Sequence, residues 1–304
     1  MSRELVVLGC ASQAPTRYRN HNGYLLRWDD EAILFDPGEG TQRQMILAGV
    51  ASSSITRICV THFHGDHCLG LPGVLGRLAL DRVNRPVDVY YPASGQAYFD
   101  RLRHASVSER EPDLVAHPVD RDGVVFDGPP FRLVAARLDH RTDTFGWRLE
   151  EPDGRRMLPE RLEQAGIRGP HVGRLQAEGA LHIRGRTVTL EQMSEHRSGQ
   201  KMAFVMDTRV CAAAQSLAEG VDLLVCESTF LETEAHLAAD YAHLTAAQAA
   251  SLARDAGAAH LVLTHYSSRY QDESVFVAEA QPIFANTTAV KDLDVIPIRR
   301  RPEA

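Results

Sequence analysis

The sequence has no long hydrophobic run, few lysines and no closely spaced cysteine pair, and each absence argues against a class of protein. No apolar stretch approaches the roughly 20 residues that a membrane-spanning helix needs. The five cysteines are odd in number and scattered, which argues against a disulfide framework and for reduced thiols in a cytoplasmic protein. The first residues lead straight into the apolar segment Leu5-Val6-Val7-Leu8, so we expect no secretion signal.

Acidic residues outnumber basic ones, 40 to 33, and the formal net charge is −7. This balance argues against a nucleic-acid ligand only weakly, because such a ligand touches one face of a protein and the distribution of charge matters more. Lysine occurs only at positions 201 and 291, so nearly all positive charge is arginine, the better bidentate phosphate ligand. The densest local excess of positive charge lies between residues 168 and 186, where Glu178 is the one acidic residue. The four arginines of this segment are Arg168, Arg174, Arg184 and Arg186.

The most informative segment is Thr61-His62-Phe63-His64-Gly65-Asp66-His67, which directly follows the apolar run 58–60. Side chains two residues apart at a strand end project to the same side, so His62 and His64 are expected to face together. Imidazole and carboxylate groups without a thiolate suit zinc or a similar divalent metal. A solvated histidine-rich loop is the alternative, but the apolar strand leading into the segment favours a metal site.

Two metal ions need more ligands than this loop supplies, and three further candidates each follow an apolar run. They are His140, Asp207 and His265. A lone histidine or aspartate in that context is more often a cap or a turn residue. Because all three share the context, we predict that together they complete two metal sites.

The candidate ligands follow the order His-x-His-x-Asp-His, then His, Asp and His, which resembles the metallo-β-lactamase superfamily of two-metal hydrolases. Further motifs resemble those of its ribonuclease Z branch, the tRNA 3′-processing endonucleases. The motifs that carry this narrower resemblance are Pro15-Thr16-Arg17-Tyr18-Arg19-Asn20, Phe35-Asp36-Pro37-Gly38-Glu39-Gly40-Thr41-Gln42, Cys226-Glu227-Ser228-Thr229, His243-Leu244-Thr245 and His265-Tyr266-Ser267-Ser268-Arg269-Tyr270. Cys226, Leu244 and Met206 depart from the family's usual His, Ser and Gly, and none of these departures removes an expected ligand.

The resemblance implies a role for each candidate. It implies His62, His64 and His140 on one ion, Asp66, His67 and His265 on the other, and Asp207 bridging both. It makes Asp66 also the proton acceptor of the attacking water and His243 the proton donor to the departing 3′-oxygen, oriented by Glu227. It predicts two Zn²⁺ per subunit, with Mn²⁺ or another divalent metal as the alternative.

Substrate contacts are expected from Arg17, Arg19, Asn20 and Arg269, although each of these residues could equally be solvated. Asp36 is expected to support the metal loop through a hydrogen bond rather than to bind metal.

Short β-branched runs alternate with helical patterns, which indicates an α/β layered sandwich. The strand predictions are 4–9, 23–27, 32–36, 57–61, 87–91, 131–138, 202–206, 221–226 and 260–264, and the helix predictions are 40–48, 69–80, 95–104, 211–219, 245–256 and 273–284. The resemblance implies a metallo-β-lactamase αββα four-layer sandwich, a single domain over 1–304. The segment 151–200 is rich in glycine, which by itself is typical of a variable surface insertion. Its position and its Gly169-Pro170 resemble the flexible arm with which members of the family grip tRNA, so the resemblance implies an inserted tRNA-binding arm.

The function implied is a zinc-dependent endoribonuclease that removes the 3′ trailer from precursor tRNA by cleaving after the discriminator base, leaving a 3′-hydroxyl. The alternatives are another two-metal hydrolase of the same fold, such as a small-molecule phosphodiesterase, a thioesterase or a β-lactamase, and a binding protein with a degenerate site. The expected partners are precursor tRNA and a second subunit in a homodimer; no membrane or DNA is expected, and the location is cytoplasmic.

Overall fold

The computed structural model of the chain describes residues 3–107, 109–183 and 185–299. The chain divides into two units, which we call the body (Met1–Glu150 with Lys201–Ala304) and the arm (Glu151–Gln200). Each is described by itself.

Two seven-stranded sheets make up the β structure of the body. The first has the order β18-β1-β2-β3-β4-β5-β6, from β1 (Glu4–Gly9), β2 (Gly23–Trp28), β3 (Glu31–Phe35), β4 (Arg57–Cys59), β5 (Val87–Pro92), β6 (Leu114–Val119) and β18 (Val295–Pro297). The second has the order β17-β16-β15-β14-β9-β8-β7, from β7 (Gly123–Gly128), β8 (Phe131–Arg137), β9 (Phe145–Glu150), β14 (Lys201–Val205), β15 (Leu223–Glu227), β16 (Leu261–Thr264) and β17 (Thr287–Ala289).

Helices cover the outer faces of both sheets. Those of the body are α1 (Thr41–Leu47), α2 (Gly65–Cys68), α3 (Leu71–Leu80), α4 (Gln96–Arg103), α8 (Ala212–Ala218), α9 (Ala235–Tyr241), α10 (Ala246–Asp255) and α11 (Ser274–Ala280). Helices α1, α3 and α4 belong with the first sheet, and α8, α10 and α11 with the second. The predicted αββα sandwich is therefore confirmed.

The alternation of side chains along a strand explains how one sheet can bury both of its faces. In β1, Leu5 and Val7 belong to the core that includes residues of the second sheet, whereas Val6 and Leu8 belong to the core under the helices of the first sheet. Across the inner core the ring of Phe204 stacks on Phe35, with centroids 4.7 Å apart. Such continuously apolar strands are expected where both faces are covered.

The parallel strands explain why distant segments meet in one site. Strands β3 to β6 of the first sheet run parallel to one another, as do β14 to β17 of the second. Neighbouring parallel strands end at the same edge of a sheet. The candidate ligands follow β4, β14 and β16 at those ends, so the fold collects them from both halves of the sequence.

The arm has more regular structure than its glycine-rich sequence predicts. It contains α5 (Pro159–Ala165), α6 (Pro170–Glu178) and α7 (Leu190–Met193), with two antiparallel pairs of strands, β10 (Gly154–Met157) with β13 (Ser194–Arg197) and β11 (Ala180–Ile183) with β12 (Arg186–Thr189). Its own small core consists of Leu162, Ala165, Ile167, Leu175, Leu181 and Val188. Strands of four residues and these short helices are too brief for a periodic signal, which is why the sequence did not reveal them.

Within the described ranges, no helix combines the length and the apolar character that crossing a membrane requires.

Candidate active site

Three residues that turn the chain after a strand have an unusual backbone conformation. Asp36, Asp207 and His265 have φ angles of 44°, 49° and 63°. Residues other than glycine rarely adopt this left-handed region, and where they do the conformation often marks a functional site. Here it accompanies an abrupt change of direction just beyond β3, β14 and β16.

Asp36 holds the metal-binding loop in place. Its carboxylate accepts hydrogen bonds from the backbone N–H and the hydroxyl of Thr61, both over 2.7 Å, and from Nδ1 of His67 over 2.8 Å. Burial raises the pKa of Asp36, although the charge and hydrogen bond of His67 oppose that shift. Since Nδ1 of His67 is engaged, its Nε2 is the nitrogen left for a ligand. The predicted supporting role of Asp36 is confirmed.

The first group of possible metal donors combines three histidines with one carboxylate, namely His62, His64, His140 and Asp207. Nε2 of His62 lies 2.8 Å from Nδ1 of His64, which is 3.4 Å from Nε2 of His140. Oδ2 of Asp207 is 3.6 Å from Nε2 of both His62 and His140.

The second group comprises Asp66, His67 and His265. Oδ2 of Asp66 is 3.2 Å from Nε2 of His67 and 3.5 Å from Nε2 of His265. Asp207 also reaches this group, because its Oδ1 is 3.1 Å from Nε2 of His265 and its Oδ2 is 3.4 Å from Nε2 of His67. Asp207 thus lies between the two groups.

These donors suit divalent cations. Ligand bonds of about 2.0–2.2 Å place neighbouring ligand atoms about 2.8–3.6 Å apart in tetrahedral or octahedral arrangements, which is the spacing observed here. Oδ1 of Asp207 and Nε2 of His265 are buried without a hydrogen-bond partner, which is costly unless a ligand engages them. Burial also lowers the pKa of His62 far below its usual value, favouring the neutral imidazole that binds metal.

Glu227 and His243 form a buried acid–base pair. Oε1 of Glu227 accepts a hydrogen bond from Nδ1 of His243 over 3.0 Å and another from the backbone N–H of Thr208 over 2.7 Å. Burial alone would lower the pKa of His243, but the charges of Glu227 and Asp207 outweigh it and raise that pKa to about 9. At neutral pH His243 is therefore protonated and able to donate a proton.

Two residues that help to position this site were not identified from the sequence. The hydroxyl of Thr229 lies 2.8 Å from Nδ1 of His265 and donates to Oε2 of Glu227 over 2.6 Å. The carbonyl oxygen of Ala242 accepts a hydrogen bond from Nδ1 of His140 over 2.9 Å. Thr229 lies in a motif already noted, two residues after Glu227, whereas no sequence signal marks a backbone carbonyl.

Two of the predicted substrate contacts, Arg19 and Asn20, have hydrogen-bond partners within the protein. The side chain of Arg19 is 4% exposed, and its Nε lies 2.7 Å from Oε1 of Glu273. Its terminal nitrogens donate to the carbonyl oxygens of Ser267 and Tyr270. The side-chain amide of Asn20 donates to the carbonyl oxygen of Glu39 over 2.8 Å. These contacts stabilise the loop itself, and the predicted contacts of Arg19 and Asn20 with substrate stay predictions.

Arg17 and Arg269 remain accessible. Arg17 is exposed. The side chain of Arg269 is 45% exposed, forms an ion pair with Glu234 over 3.0 Å and lines the cavity at the metal donors.

Three of the four arginines predicted to bind substrate through the arm already have partners within the arm. Arg168 pairs with Glu163 over 2.8 Å and Arg174 with Glu178 over 2.9 Å, all four at exposed positions. Arg186 donates to the carbonyl oxygen of Gln164 over 3.3 Å, and Arg184 lies outside the described residues. Across 151–200 eight arginines stand against seven acidic residues, so the local excess does not extend to the whole arm.

A cavity of about 480 Å³ opens onto the donors. Its lining includes His64, Asp66, His140, Asp207, His243 and His265, together with Phe230, Tyr241, Arg141 and Arg269. The cavity therefore exposes members of both donor groups, together with His243, to one bound ligand.

An αββα sandwich with two adjoining His/Asp donor groups defines the class of metal-dependent hydrolases with the metallo-β-lactamase fold. The sequence profile of the metallo-beta-lactamase superfamily matches residues 16–182.

Relatives that match over nearly the full length of the chain identify the family within this class. The chain is 58% identical to "Ribonuclease Z" of Nocardia farcinica, over 98% of this chain and 99% of that protein. It is 47% identical to "Ribonuclease Z" of Chlamydia caviae, over 99% of each chain. The crystal structure of the short form of human tRNase Z superposes with a TM-score of 0.73 at 25% identity, over 98% of this chain and 100% of that one. The chain belongs to the ribonuclease Z family and is a hydrolase of the endoribonuclease class.

Proposed function

We propose that this protein removes the 3′ trailer from precursor tRNA, cleaving after the discriminator base to leave a 3′-hydroxyl. The observation that carries the proposal is the shared position of Asp207 between two donor groups, in one cavity with the Glu227–His243 pair. Nucleophile activation and leaving-group protonation, the two requirements of phosphodiester hydrolysis, can then be met from opposite sides of one phosphate.

The donors are proposed to hold two Zn²⁺ ions, with Mn²⁺ as the alternative metal. His62, His64 and His140 would hold one ion, Asp66, His67 and His265 the other, and Asp207 would bridge them through its two oxygens. Bound metal ions of this kind lower the pKa of water and stabilise charge on a phosphodiester.

Asp66 is proposed to orient the attacking water and accept its proton. Burial would raise the pKa of Asp66, but the neighbouring imidazoles of His67 and His265 hold that pKa well below its usual range. The side chain is thus a carboxylate at neutral pH and can accept a hydrogen bond from water beside the phosphate.

His243 is proposed to give its proton to the departing 3′-oxygen. Its Nδ1 is engaged by Glu227, so Nε2 is the nitrogen available to the leaving group. Glu227 keeps the ring charged before the reaction and fixes its orientation, which are the two requirements for a general acid.

The arm and the exposed Arg17 and Arg269 are proposed to hold the tRNA, with the arm as a binding site that contributes no residue to the chemistry. We further propose a cytoplasmic homodimer in which the arm of one subunit serves the active site of the other. Light scattering of the purified protein tests the dimer.

The function is tested with a precursor tRNA that carries a 3′ trailer, assayed beside bis-nitrophenyl phosphate. We expect a single cut after the discriminator base and a 3′-hydroxyl on the tRNA product. Precursors with and without an encoded CCA show whether that sequence is rejected. Hydrolysis of the small diester alone would contradict the proposal and favour a small-molecule phosphodiesterase.

A further inference from the structure

One wall of the cavity consists of two neighbouring aromatic rings, each with a guanidinium group beside it, which we call the stacked wall: Arg141, Tyr241, Phe230 and Arg269. The guanidinium carbon of Arg141 lies 5.0 Å from the centre of the Tyr241 ring. That ring is nearly parallel to Phe230, with centroids 6.3 Å apart and planes inclined by 21°. The guanidinium carbon of Arg269 lies 5.5 Å from the centre of the Phe230 ring. The mechanism described above uses neither Arg141 nor either ring.

Tyr241 and Arg141 are exposed to solvent, whereas the Phe230 ring is buried. Tyr241, the last residue of α9, is 46% exposed, and Phe230 is 5% exposed. Arg141 is exposed, and in the described part of the chain its only hydrogen bond runs from Nη2 to the carbonyl oxygen of Asp240. Nε and Nη1 of Arg141 thus remain available to a phosphate, whereas Arg269 is already paired with Glu234.

The wall adjoins the side of the cavity from which the leaving group is protonated. The Phe230 ring lies 6.1 Å from the ring of His243, and Tyr241 precedes His243 by two residues. The oxygen that His243 would protonate belongs to the nucleotide on the 5′ side of the cut. The base of that nucleotide is attached to the same ribose, so it must lie close to this wall.

We propose that the stacked wall is the subsite for the unpaired nucleoside whose 3′-oxygen departs, with its base stacked on the Tyr241 ring in place of the Arg141 guanidinium and Arg141 contacting the phosphate on its 5′ side. This inference rests on the proposed function and adds to it the recognition of one nucleotide. Aromatic rings and guanidinium groups are the usual partners of unpaired bases, because every base presents a π face. A base inside a duplex offers no such face, so the wall selects a single-stranded end.

The test compares Tyr241→Ala with Tyr241→Phe on three precursor tRNAs: an intact one, one with an abasic discriminator nucleotide and one with an abasic first trailer nucleotide. On the intact substrate we expect Tyr241→Ala to lower kcat/KM by about 5- to 150-fold, the range for loss of one stacked base. Tyr241→Phe keeps the ring and should remain within about twofold of the wild type. The abasic discriminator should slow the wild type similarly and abolish the difference between wild type and Tyr241→Ala. The abasic trailer should preserve that difference.

Tyr98→Ala is a matched control. Tyr98 is 53% exposed and has the Arg101 guanidinium carbon 5.6 Å from its ring centre, but it does not line the cavity. Its loss should leave all three substrates unaffected. Far-ultraviolet circular dichroism and thermal unfolding of Tyr241→Ala should match those of the wild type, which shows that this variant is folded.

The inference is overturned if Tyr241→Ala cleaves the intact precursor normally, or if the abasic trailer removes its effect while the abasic discriminator does not. Either result leaves the proposed function intact. A wild-type protein that hydrolyses the small diester but cuts no precursor refutes the proposed function instead, so the two failures are distinguishable.

Discussion

Nδ1 of His265 lies 2.8 Å from the hydroxyl oxygen of Thr229. Because that hydroxyl donates its own proton to Oε2 of Glu227, it can only accept from His265. Nδ1 of His265 therefore carries the proton, and Nε2 is left with a lone pair facing Asp207. The same hydroxyl thus orients a proposed metal ligand and the carboxylate that holds His243.

Replacing Thr229 by valine is expected to remove the hydrogen bonds that orient His265 and Glu227. Valine has nearly the same shape, so the fold should persist, but it can neither accept from His265 nor donate to Glu227. Removal of such supporting contacts typically costs about 10- to 100-fold in metal affinity or activity. Zinc binding under a competing chelator and kcat on precursor tRNA measure the two effects. Thr229→Ser keeps the hydroxyl and should restore both; normal zinc affinity and kcat in the valine variant would contradict the link.

His64→Ala is expected to abolish cleavage and to lower the bound metal. Nδ1 of His64 lies close to the donor nitrogens of both His62 and His140, and the exposed position of His64 makes a folding defect a minor concern. Metal content by mass spectrometry, with tRNA affinity measured separately, should show metal lost and affinity largely retained. His117→Ala is the matched control, since His117 bonds Asp88 outside the donor groups. Full metal content and activity in His64→Ala would remove it from the ligand set.

The sequence predicted the framework of the site better than its surroundings. Strands predicted at 4–9 and 87–91 occur at Glu4–Gly9 and Val87–Pro92, because long β-branched runs carry their own signal. The candidate ligands were found because each stands after such a run. The ion pair of Arg19 was not predicted because its partner, Glu273, is 254 positions away, and no local pattern reveals a buried ion pair of that kind. The contact between Thr229 and His265 likewise depends on how β15 and β16 lie side by side.

His243→Ala is expected to lower the cleavage rate by about 10²- to 10⁴-fold, the usual contribution of general acid catalysis. Both metal ions should remain bound, because the seven proposed ligands are intact. Glu227 works through His243, so Glu227→Ala should add little to the His243→Ala loss. Single-turnover rates for both single variants and the double variant measure this coupling. Losses that simply multiply would show that the two residues act independently.

The pH dependence of kcat/KM should depend on the charge of Glu227, which acts through the pKa of His243. The acid form of His243 is the active one, so activity should fall as the pH rises through the pKa of His243, which the charges of Glu227 and Asp207 raise to about 9. Glu227→Gln retains a hydrogen-bond acceptor but removes one of these charges. The pKa of His243 then falls, and the alkaline limb of kcat/KM should move to lower pH. A limb that stays in place in the glutamine variant would exclude this pair as its origin.

Replacing the arm tests where the tRNA is held. Glu150 at the end of β9 pairs with Lys201 at the start of β14 in an antiparallel register, so an Asn-Gly turn can join these strands in place of 151–200. All seven proposed ligands lie in the body and should still support hydrolysis of a small phosphodiester. KM for precursor tRNA should rise.

A more conservative variant changes Arg168, Arg174, Arg184 and Arg186 to glutamine and leaves the apolar core of the arm untouched. Each lost phosphate contact should flatten the slope of log affinity against log salt by about 0.7–0.9, since fewer counterions are released on binding. Arg168 and Arg174 are already paired with glutamates, so a slope change well below that for four contacts would indicate that those ion pairs persist in the complex. Unchanged affinity and slope in both variants would mean that tRNA is held by the body. Acidic residues outnumber basic ones there, so the cavity arginines and the proposed metal ions would have to attract the polyanion.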